Sequence, residues 1–522
     1  MKITDMLAAN AETYPDEPAL TEFRPGSGLR SQLTWKEFDD NANRIANAII
    51  TRGIGKGDKV IIWMMNSLQW LEIYFGVLKT GAWAVPLNFR FTGADMLYCA
   101  RIAEASMMFL GEEFVERVNA EKAELASIKA FIHIGDSTPA GMESLHDFIA
   151  GVSSKAPDAA ITGSDPCGLY FTSGTTGSPK PILLTHDNLT SAAVTENIHH
   201  ELKHDDNFVL IPPLYHTGSK MHWLGSLYVG GRATILPEMS SKNLFETFHR
   251  ERGTVVFMLV PWAQDILGAL DRSELKLSDY DLSSWRMLHM GAQPIPPSVV
   301  KHWKTYFPDM LYDTTYGLSE STGPGCVHLG LANLHKVGAI GKAGHGWQTR
   351  IVDENGSDVP QGAVGELIVK GPGVMKEYYK NPEKTAETLK DGWLYTGDMA
   401  KVDDEGFIYL VDRKKDIVIT GGENIFPVEV ENVILTYPGI LDAAVIGIPD
   451  DRLGEIAAAV VTPQSGAVVT EKELNDFCAE NLPRYKRPRK IFFDTVPRNP
   501  TGKIEKPKLR EKYAGYRESF RI

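Results

Sequence analysis

The amino-acid sequence predicts an α/β protein: a large N-terminal domain of layered α/β lobes plus a β-rich subdomain, followed by a small α+β C-terminal domain. Three observations carry that expectation. Strand-length apolar runs alternate with helix-period stretches over roughly the first four hundred residues, the order that builds parallel sheets. Between about Gly338 and Asp412 the runs shorten and are punctuated by Asn-Gly, Pro and Gly turns. From Lys415 onward a strand, a helix and two more strands form their own unit, which places a junction near Arg413–Lys415 and divides the chain into 1–414 and 415–522.

The elements follow in order. Thr34 and Glu37 have capping-box spacing, and Phe38, Ala42, Ile45, Ala46 and Ile49 recur at helical period, so a helix is expected over Trp35–Thr51. After the glycine-rich turn Gly53–Gly57, Val60–Met64 reads as a strand, Ser67–Lys79 as a helix and Trp83–Leu87 as a strand. Further strands are expected at Phe208–Ile211, Ala233–Leu236, Val255–Val260 and Met287–Met290. The β-rich part is carried by Thr349–Val352, Gly365–Val369 and Gly406–Leu410. The final unit is read as a strand at Ile417–Ile419, a helix from Pro427 to about Leu435, and strands at Ala443–Ile448 and Ala457–Val461.

Composition narrows the function classes. With 54 Lys+Arg against 67 Asp+Glu the net charge is −13, so the average surface repels nucleic acid and anionic lipid. An anionic ligand then requires a local basic site. Cys99, Cys167, Cys326 and Cys478 lack C-x-x-C spacing, which argues against a disulfide framework and against structural zinc, and favours a reducing compartment. The first residues lack the apolar core of a signal peptide, and no run approaches the roughly 20 apolar residues of a membrane span. The expectation is a soluble cytoplasmic enzyme.

The most informative segment is 171–180, where Thr172, Ser173, Gly174, Thr175, Thr176 and Gly177 lead through Ser178 and Pro179 to Lys180. Glycines let the backbone approach an anion, successive N–H groups form an anion-binding nest, and hydroxyls and a lysine add donors. A helix is expected to follow and to add its positive end. The segment is not a Walker A loop, because Ser178-Pro179 separates Gly177 from Lys180.

Six further motifs follow in order: Pro213–His216, Gly291–Pro294, Tyr316–Glu320, Tyr395–Asp398, Asp412–Asp416 with Gly421–Asn424, and Pro497–Lys503. Together with the 171–180 segment they resemble the adenylate-forming superfamily of acyl-CoA synthetases, aryl-CoA ligases, luciferases and nonribosomal adenylation domains, over nearly the whole chain. The resemblance implies ATP-dependent activation of a carboxylate as an acyl-adenylate with loss of pyrophosphate, then transfer to a thiol, with ATP, Mg²⁺ and coenzyme A as cofactors.

It also implies roles. Glu320 matches the Mg²⁺-holding glutamate. Asp398 and Arg413 match ribose-binding residues, although an aspartate after Thr-Gly would in isolation read as a turn. Gly291, Ala292, Gln293 and Pro294, with Thr315, Tyr316, Gly317 and Ser319, match the adenine wall and the turn before the metal. Lys503 matches the lysine that offsets repulsion between carboxylate and α-phosphate. Lys415 matches the hinge of a mobile C-terminal domain, and Gly421 and Gly422 the wall of a tunnel for the thiol. His216 stands where amino-acid-activating relatives carry an aspartate, which argues against an amino acid.

The resemblance leaves alternatives open. Pro181 and Ser319 depart from commoner residues, and Pro181 removes one N–H donor. Lys220 and His222 either face solvent from a helix or recognise a polar end of the acid. The favoured substrate is a medium-chain fatty, cyclic or aromatic monocarboxylic acid. The second reading of the acceptor is an acyl-carrier protein or, as in luciferase, oxygen; a third reading is a pseudoenzyme. The basic run Arg484–Lys490 fits either CoA phosphates or a solvated face. A homodimer is compatible with the sequence, and Lys503 is a candidate target of a lysine acetyltransferase.

Overall fold

The computed structural model describes residues 1–172, 179–293, 295–323, 325–450, 452–498 and 503–516, with the backbone alone for Ser219. Four sheets organise them.

The first, of eight strands, is built around Lys59–Trp63, which pairs in parallel with Trp83–Pro86 on one side and Met107–Gly111 on the other. The strand–helix–strand order read from the sequence therefore appears, with the helix at Leu68–Lys79. The helix Trp35–Thr51 packs against it. Thr34 caps that helix, accepting from the Glu37 N–H at 3.2 Å while Glu37 reaches back to the Thr34 N–H at 2.8 Å. Such a cap contributes about 1 kcal/mol. The two helices approach closely at Gly76, where an added Cβ would stand 2.6 Å from Ile45 Cγ2.

The second sheet has nine strands. Asn207–Leu210, Arg232–Ile235, Val255–Leu259, Met287–Gly291 and Leu311–Tyr316 run parallel in it, and Val327–His328 returns antiparallel to Leu311–Tyr316. The helices His186–His200 and Thr217–Tyr228 pack on each other, and one apolar core joins residues of both sheets, including Phe75 and Trp223.

The third sheet is antiparallel and contains Gln348–Val352, Gly365–Lys370, Trp393–Val402 and Ile408–Arg413. The sequence reading passed over Trp393–Val402, whose apolar alternation is interrupted by Thr396, Gly397 and Asp398. After the turn Lys414–Asp416 the chain enters a fourth sheet. There Val418–Thr420 and Ile440–Asp450 flank Gly454–Pro463, and Pro427–Ile434, Glu471–Asn481 and Lys506–Tyr513 are helical. This is the separate α+β C-terminal domain.

One expectation is corrected. No helix follows Lys180 directly. Lys180–Thr185 is a strand, antiparallel to Pro166–Thr172 with Thr172 opposite Lys180, and the helix begins only at His186. The aliphatic run Ile182–Leu184 is buried between two strand neighbours, the second being Glu377–Tyr378. The helix-start signal lies later, at Thr185, which accepts from the Asn188 N–H. No helix N-terminus therefore adjoins Lys180. The four cysteines are buried and unpaired, and no helix among the described residues is long and apolar enough to cross a membrane.

Candidate active site

The strand Leu311–Tyr316 delivers Tyr316 to the junction of the second and third sheets. Its phenol donates to Asp398 Oδ2 at 2.6 Å. Asp398 stands opposite Arg413 in the antiparallel register, with Arg413 Nε 3.1 Å from Asp398 Oδ1. The carboxylate is thus held from two sides, and its charge is the main reason the Arg413 guanidinium is pushed above its usual range. Burial, then Asp398, raises the Tyr316 phenol well above normal. A fixed carboxylate beside a guanidinium can accept from and donate to a pair of vicinal hydroxyls.

Beyond Tyr316, Gly317 and Leu318 lead into the short turn Ser319–Ser321, which presents Glu320. Tyr378 donates to Glu320 Oε1 at 2.7 Å, leaving the other oxygen for a hard cation. Ser319 Oγ lies 3.0 Å from Thr217 Oγ1, so the hydroxyl at this position ties the turn to the helix Thr217–Tyr228. His216 caps that helix: its Nδ1 accepts from the Gly218 N–H at 3.1 Å, which places the proton of the neutral ring on Nε2. Burial first, then Lys503, Lys220 and His222, hold the imidazole at about 3.

The C-terminal domain reaches the same place. Arg498 and Ile504, the neighbour of Lys503, pair in an isolated antiparallel bridge. The Arg498 guanidinium makes two 2.7 Å bonds to Asp442 and donates to Gln293 Oε1 at 3.1 Å, bracing this domain against the loop after Gly291. Burial, then Arg413, holds the Lys503 ammonium below the ordinary lysine range, while Asp398 and Glu320 pull it upward. Lys503 also acts on His216. Five residues from distant parts of the sequence, His216, Glu320, Asp398, Arg413 and Lys503, therefore share one electrostatic environment.

Other expected residues fall around it. Gly291 ends its strand where a Cβ would come within 2.9 Å of Phe257, and Ala292 follows with φ of 70°, a left-handed conformation. Thr315 bonds His289 Nε2 at 3.1 Å. Thr172 and Lys180 face each other across the hairpin. Ser173, Gly174, Thr175, Thr176, Gly177 and Pro294 lie outside the described residues. Lys415, in the turn between the third and fourth sheets, is lowered to about 8, chiefly by burial. Gly421 and Gly422 form an exposed turn with φ of 57° and 90°. Lys503 thus enters the site while these glycines stay at the surface.

Lys220 and His222 do not face solvent. Lys220 is fully buried among the rings of Tyr170, Tyr74 and Trp70, at 4.4, 5.1 and 5.5 Å, and donates to the Leu214 carbonyl at 3.2 Å. His222 stacks on Phe257 with ring centres 3.9 Å apart. In the basic run, Lys486 pairs with Glu429, Lys490 with Glu471, and Arg487 donates to the Leu482 and Ala479 carbonyls, so three of its cations serve intrachain contacts. Sequence reasoning missed Tyr378 and gave Arg498 no role. Arg498 lay inside a quoted motif and could have been found there, whereas Tyr378 carries no pattern.

Comparison with known proteins agrees with this geometry. The model of the AMP-binding enzyme family matches residues 7–379, and that of the AMP-binding enzyme C-terminal domain matches residues 429–503. A feruloyl-CoA synthase from Amycolatopsis sp is 34% identical over 499 residues, covering 95% of this chain and 96% of its own. A long-chain-fatty-acid–CoA ligase of Mycobacterium tuberculosis is 30% identical over 513 residues, 98% of each chain. An anthranilate CoA ligase in complex with anthranoyl-AMP superposes with a TM-score of 0.89 at 27% identity, covering 98% of this chain and 97% of its own. The chain belongs to the AMP-binding, adenylate-forming enzyme family, in its acyl- and aryl-CoA ligase branch.

Proposed function

We propose that this enzyme, an ATP-dependent, AMP-forming acid–CoA ligase, activates a medium-chain fatty, cyclic or aromatic monocarboxylic acid. The observation that carries the chemistry is the convergence of Lys503 with Asp398, Arg413, Glu320 and His216. Two arguments support the acid class. Lys220 and His222, the cation-capable side chains that could have met a second carboxylate, are withdrawn into the core. The relatives named above act, by their names, on long-chain fatty, ferulic and anthranilic acids.

In the first half-reaction a carboxylate oxygen bonds the α-phosphorus of ATP and the bond to pyrophosphate breaks. Two anions must meet, so the barrier falls where cations are already in place, and we assign that work to Lys503. Asp398 and Arg413 hold the ribose hydroxyls. Glu320, with one oxygen fixed by Tyr378, suits Mg²⁺, which supplies charge neutralisation to the phosphates when bound. Gly291, Ala292, Gln293, Thr315 and Tyr316 border the adenine. In the second half-reaction the thiol sulfur bonds the acyl carbon and AMP leaves. We assign this to a second orientation, in which the domain 415–522 turns about Lys415 against 1–414, Lys503 withdraws, and Gly421 and Gly422 line the pantetheine path. The reading extends to a cytoplasmic enzyme that a lysine acetyltransferase would switch off at Lys503 by removing its charge.

The test is pyrophosphate release and mass-spectrometric detection of thioester over fatty, cyclic, aromatic and dicarboxylic acids, with and without CoA. Thioester from monocarboxylic members of the panel is expected. Exclusive use of dicarboxylic acids would overturn the acid class, and acid-dependent pyrophosphate without any thioester would overturn CoA as acceptor.

A further inference from the structure

Behind the wall of Phe257 lies a group of titratable side chains that the ligase chemistry does not use. Glu196 and His200 project from one face of the helix His186–His200, one turn apart. His222 comes from the helix Thr217–Tyr228, His289 from the strand Met287–Gly291, Asp313 from Leu311–Tyr316 and His328 from Val327–His328. All six are at most 3% exposed. No lysine or arginine among the described residues pairs with either carboxylate; their ion-pair partners are histidines alone.

The hydrogen bonds within the group are ordered in a particular way. Asp313 Oδ1 accepts from the Thr314 and Gly330 N–H groups at 2.8 Å each. Its Oδ2 lies 2.9 Å from His200 Nε2 and 3.4 Å from His328 Nδ1. His289 Nε2 lies 3.1 Å from Thr315 Oγ1, and His222 Nδ1 lies 2.9 Å from Glu196 Oε2. Each imidazole is therefore held by one nitrogen. The opposite atoms, His200 Nδ1, His289 Nδ1 and His328 Nε2, make no hydrogen bond with the described residues, and neither does Glu196 Oε1. Three atoms converge: Glu196 Oε2 is 3.1 Å from His200 Nδ1 and 3.9 Å from His289 Nδ1, whereas His328 Nε2 lies 4.0 Å from the other Glu196 oxygen. Ligand atoms of Glu196, His200 and His289 all lie within 4.8 Å of one another.

Buried imidazole nitrogens that turn lone pairs toward each other and toward a carboxylate repel unless something positive stands between them. A metal ion with bonds of 2.0–2.1 Å in a tetrahedral set separates its ligands by about 3.4 Å, close to the spacings seen. A histidine ligand characteristically gives its other ring nitrogen to a carboxylate or hydroxyl, the part played here by Asp313 and Thr315. A dication also balances the two carboxylates with the imidazoles neutral. We propose that Glu196, His200 and His289 form a buried structural site for one divalent zinc-type cation, oriented by Asp313 and Thr315. The nitrogen-rich donors favour zinc over magnesium or calcium. The cysteine spacing that argued against structural zinc bears only on a cysteine-held ion; these ligands come from two separate elements and leave no local motif. Pinning them together fixes the strands that end at Gly291 and Tyr316, so the metal would set the floor of the nucleotide and acyl sites without touching substrate.

The test is elemental analysis of the full chain, produced without a histidine tag in zinc-supplemented cultures and dialysed against EDTA. About one zinc per chain is expected, since a buried site loads as the protein folds. Cobalt-grown protein should show the visible absorption of a tetrahedral nitrogen–oxygen site. His289→Ala and Glu196→Gln should each lose the metal. Metal at background in both wild-type preparations would overturn the proposal and leave His200 as an imidazolium shared by Glu196 and Asp313. Undiminished metal in both variants would overturn it equally. The wild-type results decide even where the variants fold poorly.

Discussion

Lys220 is the least conventional residue of the core. Burial drives its ammonium well below the normal lysine range, and no carboxylate offsets it; three aromatic faces and the Leu214 carbonyl surround it instead. Unfolding lets this amine take up a proton below the unfolded pKa of about 10.4, so the unfolded state binds more protons and this group's contribution to stability rises with pH. Lys220→Met, of similar length, removes that linkage. Its Tm relative to wild type should therefore be most favourable near pH 7 and should decline toward pH 9. A difference independent of pH would show that the lysine is charged in the fold. His216 makes the converse case: held at about 3, it stays neutral throughout the working range. The kcat/KM profiles of wild type and His216→Gln should run parallel between about pH 5.5 and 7.5. A limb near 6.5 lost in the variant would contradict the assignment of a neutral imidazole.

At the scale of elements, Arg498 acts as a brace. Arg498 spans from Asp442 in its own domain to Gln293 beside the Gly291 strand end, and its backbone pairs with Ile504. Arg498→Ala should slow adenylation roughly tenfold or more, since misplacement by about an ångström is costly, and should leave transfer from supplied acyl-adenylate within about twofold. Equal slowing of both steps would make Arg498 a general stability residue. The same elements show what was legible in the sequence. Trp35–Thr51 was readable to its ends because cap and apolar period agree there. The strand Lys180–Thr185 was not, because a buried aliphatic run of that length lacks periodicity and its partners lie elsewhere in the chain. The motifs of the candidate site were legible because each is a local string. The Glu196–His328 cluster was invisible, since its residues lie on five separate elements and meet only through sheet order.

Over the whole molecule, the large domain offers Asp398 and Arg413 from two paired strands, Glu320 from a short turn and His216 from a helix start, and the small domain completes the set with one lysine. The structure holds the orientation in which Lys503 faces these groups while the Gly421–Gly422 turn is exposed. In the proposed mechanism this orientation serves adenylation alone and thiol transfer uses another. The most direct measurement is on Lys503→Ala, with the half-reactions timed separately: acid-dependent pyrophosphate release, and thioester formation from supplied acyl-adenylate and CoA. A fall of about 10²–10³ is expected in the first, the size of a lost electrostatic contact in the transition state, and a change within a few-fold in the second. Comparable losses in both half-reactions would contradict it.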